Sequence, residues 1–128
     1  MKETFVPETL NYMIPRVDIV NIYELRPHEA VIESRVAELI KDFLERGVIL
    51  KPILVDEATM TILDGHHRVE ALKRLGKKRV PAILVNYFDD LLIAVTSWRD
   101  GFHVSKASVI YRSLRGVPYE PKTSRHIL

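Results

Sequence analysis

The sequence predicts one α+β domain over residues 1–128, a small mixed sheet with about three helices packed on it. Three observations carry this expectation. The 128 residues, 47% of them hydrophobic, suit a single compact domain with a real core. Short β-type runs alternate along the chain with amphipathic helical stretches. No internal repeat, linker or low-complexity segment divides it.

The elements follow in order. Residues 16–25, RVDIVNIYEL, place Val17, Ile19 (with Val20) and Ile22 between polar positions, a strand pattern. RPHEAVIES contains Pro27 and reads as a loop. A helix is expected from about Ser34 to Arg46, because Val36, Leu39, Ile40, Phe43 and Leu44 form one apolar stripe. Gly47 should end it as a left-handed cap. PILVDE and MTILDG, with a tight turn over Glu57 to Thr59, predict a hairpin. The next helix, His66–Leu75, would bury Val69, Leu72 and Leu75 and stop at Gly76. RVPAILVNY reads as a buried strand, and Pro81 suggests that it begins near a sheet edge. LLIAVTSW is a further strand, rich in β-branched residues. Ser105 can cap a last helix to Arg115, with Ala107, Ile110, Tyr111 and Leu114 inward and Gly116 at its end. VPYEPKTSRHIL, with two prolines, reads as an extended tail.

Composition narrows the function classes. No run approaches the roughly 20 apolar residues of a membrane span, and Met1 to Pro15 lacks the pattern of a secretory signal. A cytoplasmic protein with no membrane partner is therefore expected. The absence of cysteine excludes disulfides, thiolate metal sites and cysteine nucleophiles. Absent glutamine and 28% charged residues lean towards a thermophilic source. The net charge of +2 is uneven: residues 1–100 hold 14 Lys+Arg against 16 Asp+Glu, and residues 101–128 hold 5 against 1. A basic end on a nearly neutral body points to an anionic partner.

The most informative stretch is LDGHHR, Leu63 to Arg68. Asp64 can cap the following helix and Gly65 lets the backbone approach a ligand closely. The N–H groups of Gly65, His66 and His67 would then point out of the helix start, where anions are favoured. His-His-Arg opposes the helix dipole in an empty site, and a bound phosphate reverses that sign. Arg68 could clamp the phosphate in a bidentate manner. Adjacent His66 and His67 diverge by ~100° on a helix, which argues against a metal held by the protein.

Three further stretches join it. In RPHEAV, Glu29 stands in a loop beside His28, where a carboxylate can serve as a general base if it faces the site. In TSWRDG, Trp98 is the only tryptophan; with Arg99 it could frame a small zwitterion, or be a core residue beside an exposed arginine. In EPKTSRH, Lys122, Thr123, Ser124, Arg125 and His126 put cationic donors and hydroxyls in series, which suits phosphate and equally describes a basic tail.

DGHHR opening a helix, preceded by PHE and followed by SWRDG and PKTSRH, resembles the free serine kinases of the ParB/sulfiredoxin-like superfamily. The resemblance spans about residues 16 to 128 with the motifs in the family order. It implies the ParB/sulfiredoxin-like fold and phosphorylation of free L-serine to O-phospho-L-serine, using ADP or ATP with Mg²⁺, in cysteine biosynthesis. It also implies roles for residues. Glu29 would take the serine hydroxyl proton, and Asp64 would be the second catalytic carboxylate. Gly65, His66, His67, Arg68 and Thr123 would hold the nucleotide. Trp98, Arg99, Lys122, Arg125 and His126 would bind serine or the transferred phosphoryl group. The partners implied are L-serine and an adenine nucleotide rather than nucleic acid.

Phosphoryl transfer asks mainly for in-line positioning and charge neutralisation, which such a set can supply. No Walker A or kinase-type glycine loop is present. A sulfiredoxin-type reductase would need a cysteine in the helix-start motif, and the chain has none. The standing alternative is a ParB-like nucleotide-dependent DNA-binding regulator. A nuclease is disfavoured by the scarcity of clustered carboxylates.

Overall fold

The structure, a computed structural model, describes residues 17–47, 51–90, 93–99, 101 and 103–127. The strands are β1 (Val17–Asn21), β2 (Ile53–Asp56), β3 (Ile62–Asp64), β4 (Arg79–Val85), β5 (Ala94–Ser97) and β6 (Ser124–Ile127). The helices are α1 (Glu33–Arg46), α2 (His66–Arg74) and α3 (Lys106–Arg115), with a 3₁₀ turn at Ile22–Glu24. The mixed sheet runs β1-β4-β2-β3, antiparallel except for the parallel β2·β4 pair. β5 and β6 form a separate antiparallel pair. Three helices on a small mixed sheet is the α+β class expected.

Both faces of the four-stranded sheet are covered, which follows from the period-2 alternation of its strands. Ile53, Val55, Ile62, Val80 and Ala82 pack with Val36 and Phe43 of α1 and Val69 and Leu72 of α2. Leu54 and Leu63 face the other way, onto Val109 and Ile110 of α3, Tyr87 and Tyr119. Arg74 joins α2 to α1 by donating Nη1 and Nη2 to the two oxygens of Glu33, at 2.7 and 2.9 Å.

The hairpin of β2 and β3 turns over Glu57 to Thr59 as expected. Buried Asp56 organises it, accepting from Thr59 N–H at 3.1 Å and Thr59 Oγ1 at 2.6 Å. Ser105 caps α3 by accepting from Ser108 N–H at 3.1 Å, and Ser108 Oγ accepts in return from Ser105 N–H.

Several expectations need correction. β4 is an inner strand, so the edge expected at Pro81 is only local, at the start of the strand on the side of β2. Pro81 is tolerated since β2 pairs only from Ala82 onward, so the missing N–H lies outside that ladder. Leu44 is exposed rather than part of the α1 stripe, and Gly47 has φ 79 but ψ 165, away from the left-handed helical cap. On α3 only Ile110 of the four expected residues is buried. Val109 and Ser113 join it, because Ser113 Oγ bonds Thr61 Oγ1 at 2.6 Å and so enters the interior with its polar group satisfied. The tail is not merely extended: its end is β6, paired with β5 from Ser97↔Ser124 to Ala94↔Ile127. Leu91 and Leu92 of the expected strand LLIAVTSW, and the Met1 to Pro15 segment, lie outside the described residues. No helix among those described is long and apolar enough to cross a membrane.

Candidate active site

The site forms where β3 passes into α2. Gly65 is the helix N-cap with φ 112, a left-handed conformation that side chains resist. A Cβ there would stand 2.5 Å from Ile53 Cγ2, so glycine is demanded by the strand beneath as well as by the turn. Asp64 was expected to cap α2 and does not, for the helix start has no side-chain cap. Its carboxylate is exposed, 3.8 Å from Arg68 Nη2. The first N–H groups of α2 have no intrahelical partner and carry the positive end of the dipole.

The paired histidines resolve differently from their reading as cations that need an anion. His66 is buried, and its Nε2 accepts the His28 N–H at 3.2 Å. His67 Nε2 accepts the N–H of Ile32, the N-cap of α1, at 3.0 Å. An accepting nitrogen carries no proton, so both rings are neutral here and each retains Nδ1–H as a donor. Burial holds His66 well below its ordinary value, with His28 adding to the effect, and lowers His67, with Arg35 adding there. The dipole penalty expected of His-His therefore does not arise. Arg68 donates Nη1 to the Lys51 carbonyl at 2.7 Å, which ties the helix start to the approach to β2.

The tail supplies the facing wall. Glu29 Oε1 accepts from Thr123 N–H at 2.6 Å and Ser124 N–H at 2.8 Å. This fixes one carboxylate oxygen, and among the described residues no hydrogen bond goes to Oε2. The loop and the tail also join through Ala30 N–H to Tyr119 O and Tyr119 N–H to His28 O, both 2.7 Å. Exposed Trp98 carries the Arg125 guanidinium over its ring at 4.4 Å. His126 Nε2 lies 2.8 Å from Tyr87 Oη, and burial lowers its imidazole to about 4.

Glu29, Asp64, Gly65, His66, His67, Arg68, Trp98, Arg125 and His126 thus surround one cavity of about 470 Å³. Three expected members do not line it. Thr123 is buried with its hydroxyl donated to Glu120 O at 2.6 Å, so that hydroxyl is not presented to a nucleotide. Arg99 instead holds the tail, donating to Pro121 O at 3.0 Å and pairing with Glu120 at 3.4 Å. Lys122 is exposed at the margin, where its charge reaches His67. Two residues outside the expected set belong to the site. Ser124 lines the cavity, and buried His28 bonds Ser124 Oγ at 2.7 Å. Ser124 had a sequence signal in the hydroxyl-bearing run Lys122 to His126, whereas His28 had only its place beside Glu29.

The described residues contain no group of three or more His, Asp or Glu side chains able to hold a metal ion. A nucleotide-borne Mg²⁺ would ask less of a protein, one or two carboxylates beside the phosphates, and Asp64 is an exposed carboxylate in the cavity wall that could supply one. The cavity therefore unites two carboxylates, two guanidinium groups, neutral imidazole donors and a helix N-terminus.

The ParB N-terminal domain family matches residues 6–97. The ADP-dependent L-serine kinase of Thermococcus kodakarensis is 32% identical over 115 residues, 84% of this chain and 47% of that protein. The ATP-dependent L-serine kinase of Staphylothermus marinus is 37% identical over 76 residues, 56% of this chain and 30% of that protein. The chain thus spans less than half the length of these curated relatives. A solved free serine kinase in complex with AMP superposes with a TM-score of 0.78, covering 88% of this chain and 87% of its own. At 18% identity that likeness speaks to the fold alone.

Proposed function

From the premise that the chain belongs to the ParB N-terminal domain family, we propose that residues 1–128 act as one free L-serine kinase domain. It transfers a phosphoryl group from ADP or ATP to the L-serine hydroxyl and releases O-phospho-L-serine, which feeds cysteine biosynthesis in the cytoplasm. The observation that carries this reading is Glu29: a carboxylate anchored through one oxygen, in the same cavity as an open helix N-terminus. Anchoring aims the remaining oxygen, and a base so placed takes the hydroxyl proton as the alcohol attacks phosphorus.

The other residues divide the remaining tasks. The first N–H groups of α2 and the Nδ1–H groups of His66 and His67 receive phosphate oxygens. Arg68 and Arg125 neutralise charge developing on the transferred group. Asp64 orients the Mg²⁺ that accompanies the nucleotide, whose chemistry is to offset phosphate charge. Trp98 and His126 shape the acceptor pocket. Arg99 and Thr123 act through the tail, which they hold against Glu29, and Lys122 extends the cationic margin.

The DNA-binding alternative has the family description in its favour. Against it, Glu29 and Asp64 place negative charge in the cavity that a nucleic-acid backbone would have to approach. The test is Glu29→Gln, which keeps the size and an acceptor for the two N–H groups and removes the base. Turnover of L-serine should fall roughly 10²-fold or more with folding retained. A variant as fast as wild type would remove Glu29 from the chemistry.

A further inference from the structure

Four hydrogen bonds converge on His28, which is 0% exposed. Its N–H goes to His66 Nε2 at 3.2 Å and its carbonyl receives Tyr119 N–H at 2.7 Å. In the ring, Nδ1 lies 2.6 Å from Ile62 O and Nε2 lies 2.7 Å from Ser124 Oγ. A carbonyl only accepts, so Nδ1 carries the ring proton. A neutral imidazole has one N–H, which leaves Nε2 bare and makes Ser124 the donor. Burial, which lowers this imidazole to about 4, keeps it neutral at ordinary pH.

A serine hydroxyl has a single proton. Once that proton is turned inward to His28, only oxygen lone pairs remain to meet the cavity. Glu29 Oε1, 3.4 Å from Ser124 Oγ, competes for the same proton but loses it to His28 Nε2, which is nearer at 2.7 Å and has no proton of its own. Ser124, with its hydroxyl an acceptor, and the Glu29 carboxylate, held through Oε1, thus line the cavity side by side.

We infer that His28 is a positioning residue: by taking the Ser124 proton it fixes that hydroxyl as an acceptor beside the Glu29 carboxylate, where it receives the ammonium donors of the amino-acid substrate. The identity of the substrate rests on the kinase reading above. The orientation of the hydroxyl does not.

Nitrogen-15 NMR of the histidine-labelled protein tests the orientation directly. The inference expects His28 protonated at Nδ1 and bare at Nε2; the opposite tautomer, or a charged ring at neutral pH, overturns it. Kinetics test the consequence. His28→Asn retains a donor near Nδ1 and loses the acceptor, whereas His28→Gln restores an acceptor near Nε2. With one hydrogen bond to substrate misdirected, His28→Asn should raise KM for L-serine about tenfold with less effect on kcat, and Ser124→Ala should do the same. His28→Gln should recover much of that loss. In the double variant His28→Asn/Ser124→Ala the loss should not exceed that of Ser124→Ala alone. Additive losses, or equal defects in the Asn and Gln variants, would show His28 acting by packing only. Should the substituted chains fail to fold, the wild-type tautomer still decides the claim. Should the wild type form no O-phosphoserine, the kinase reading falls while the NMR result stands.

Discussion

Asp64 stands directly before a helix without capping it, so helix stability gives no reason for an acid at this position. Among the described residues its exposed carboxylate has one distant partner, Arg68 at 3.8 Å. Asp64→Asn should therefore change folding stability by no more than about 0.5 kcal/mol. Turnover should nevertheless fall roughly 10²-fold if this acid serves the reacting centre. Parallel denaturation and activity assays separate the two; lost stability with turnover intact would make it a structural residue. The neighbouring histidines show where residue-level reading stops. DGHHR announces a helix start with unusual polar groups, and the cavity bears this out. That His66 and His67 are neutral acceptors was not legible, because their donors, the N–H groups of His28 and Ile32, lie 38 and 35 residues away. Position along a chain says nothing about such partners.

At the scale of elements, the β3–α2 junction depends on a glycine squeezed from two directions. Gly65→Ala must accept φ 112 and a Cβ 2.5 Å from Ile53 Cγ2. A loss of about 2–4 kcal/mol is expected, read as a lowered melting temperature with the cavity residues unchanged. A neutral substitution would mean that the junction relaxes freely. The helices were legible because periodicity and caps are local: Ser105 with Ser108, and Val36 with Phe43, speak for themselves. The placement of strands was less so. Pro81 signals an edge by its own chemistry, but β4 is central, and the edge is only the stretch at its start that β2 does not reach. The tail hides its strand for a similar reason. SRHI pairs with AVTS about 30 residues earlier, and prolines upstream disguise it. Ser113 shows the same limit on α3, where a hydroxyl partner in β-sheet neighbour Thr61 selects the buried face.

The whole molecule is held around imidazoles, buried at His28 and His66 and half-buried at His126, that must stay neutral. His28 and His126 are both lowered to about 4, mainly by burial, and His66 is lowered as well. In the unfolded chain each would take up a proton near pH 6.5. The unfolded state therefore binds more protons between those values, and acid favours unfolding. Stability should be fully present above about pH 6.5 and decline as pH falls towards 4, by on the order of 3 kcal/mol for each of the two. Denaturant titrations at pH 7, 5 and 4 would register this; a flat profile would mean that the rings are not sequestered. The same cluster braces Glu29, the tail and the start of α2 around the cavity proposed to phosphorylate L-serine. The most direct test incubates the protein with Mg²⁺, L-serine and either ADP or ATP, and follows phosphorus NMR. A growing O-phosphoserine signal is expected with at least one nucleotide. No such signal with either, from protein shown to be folded, would contradict that proposal.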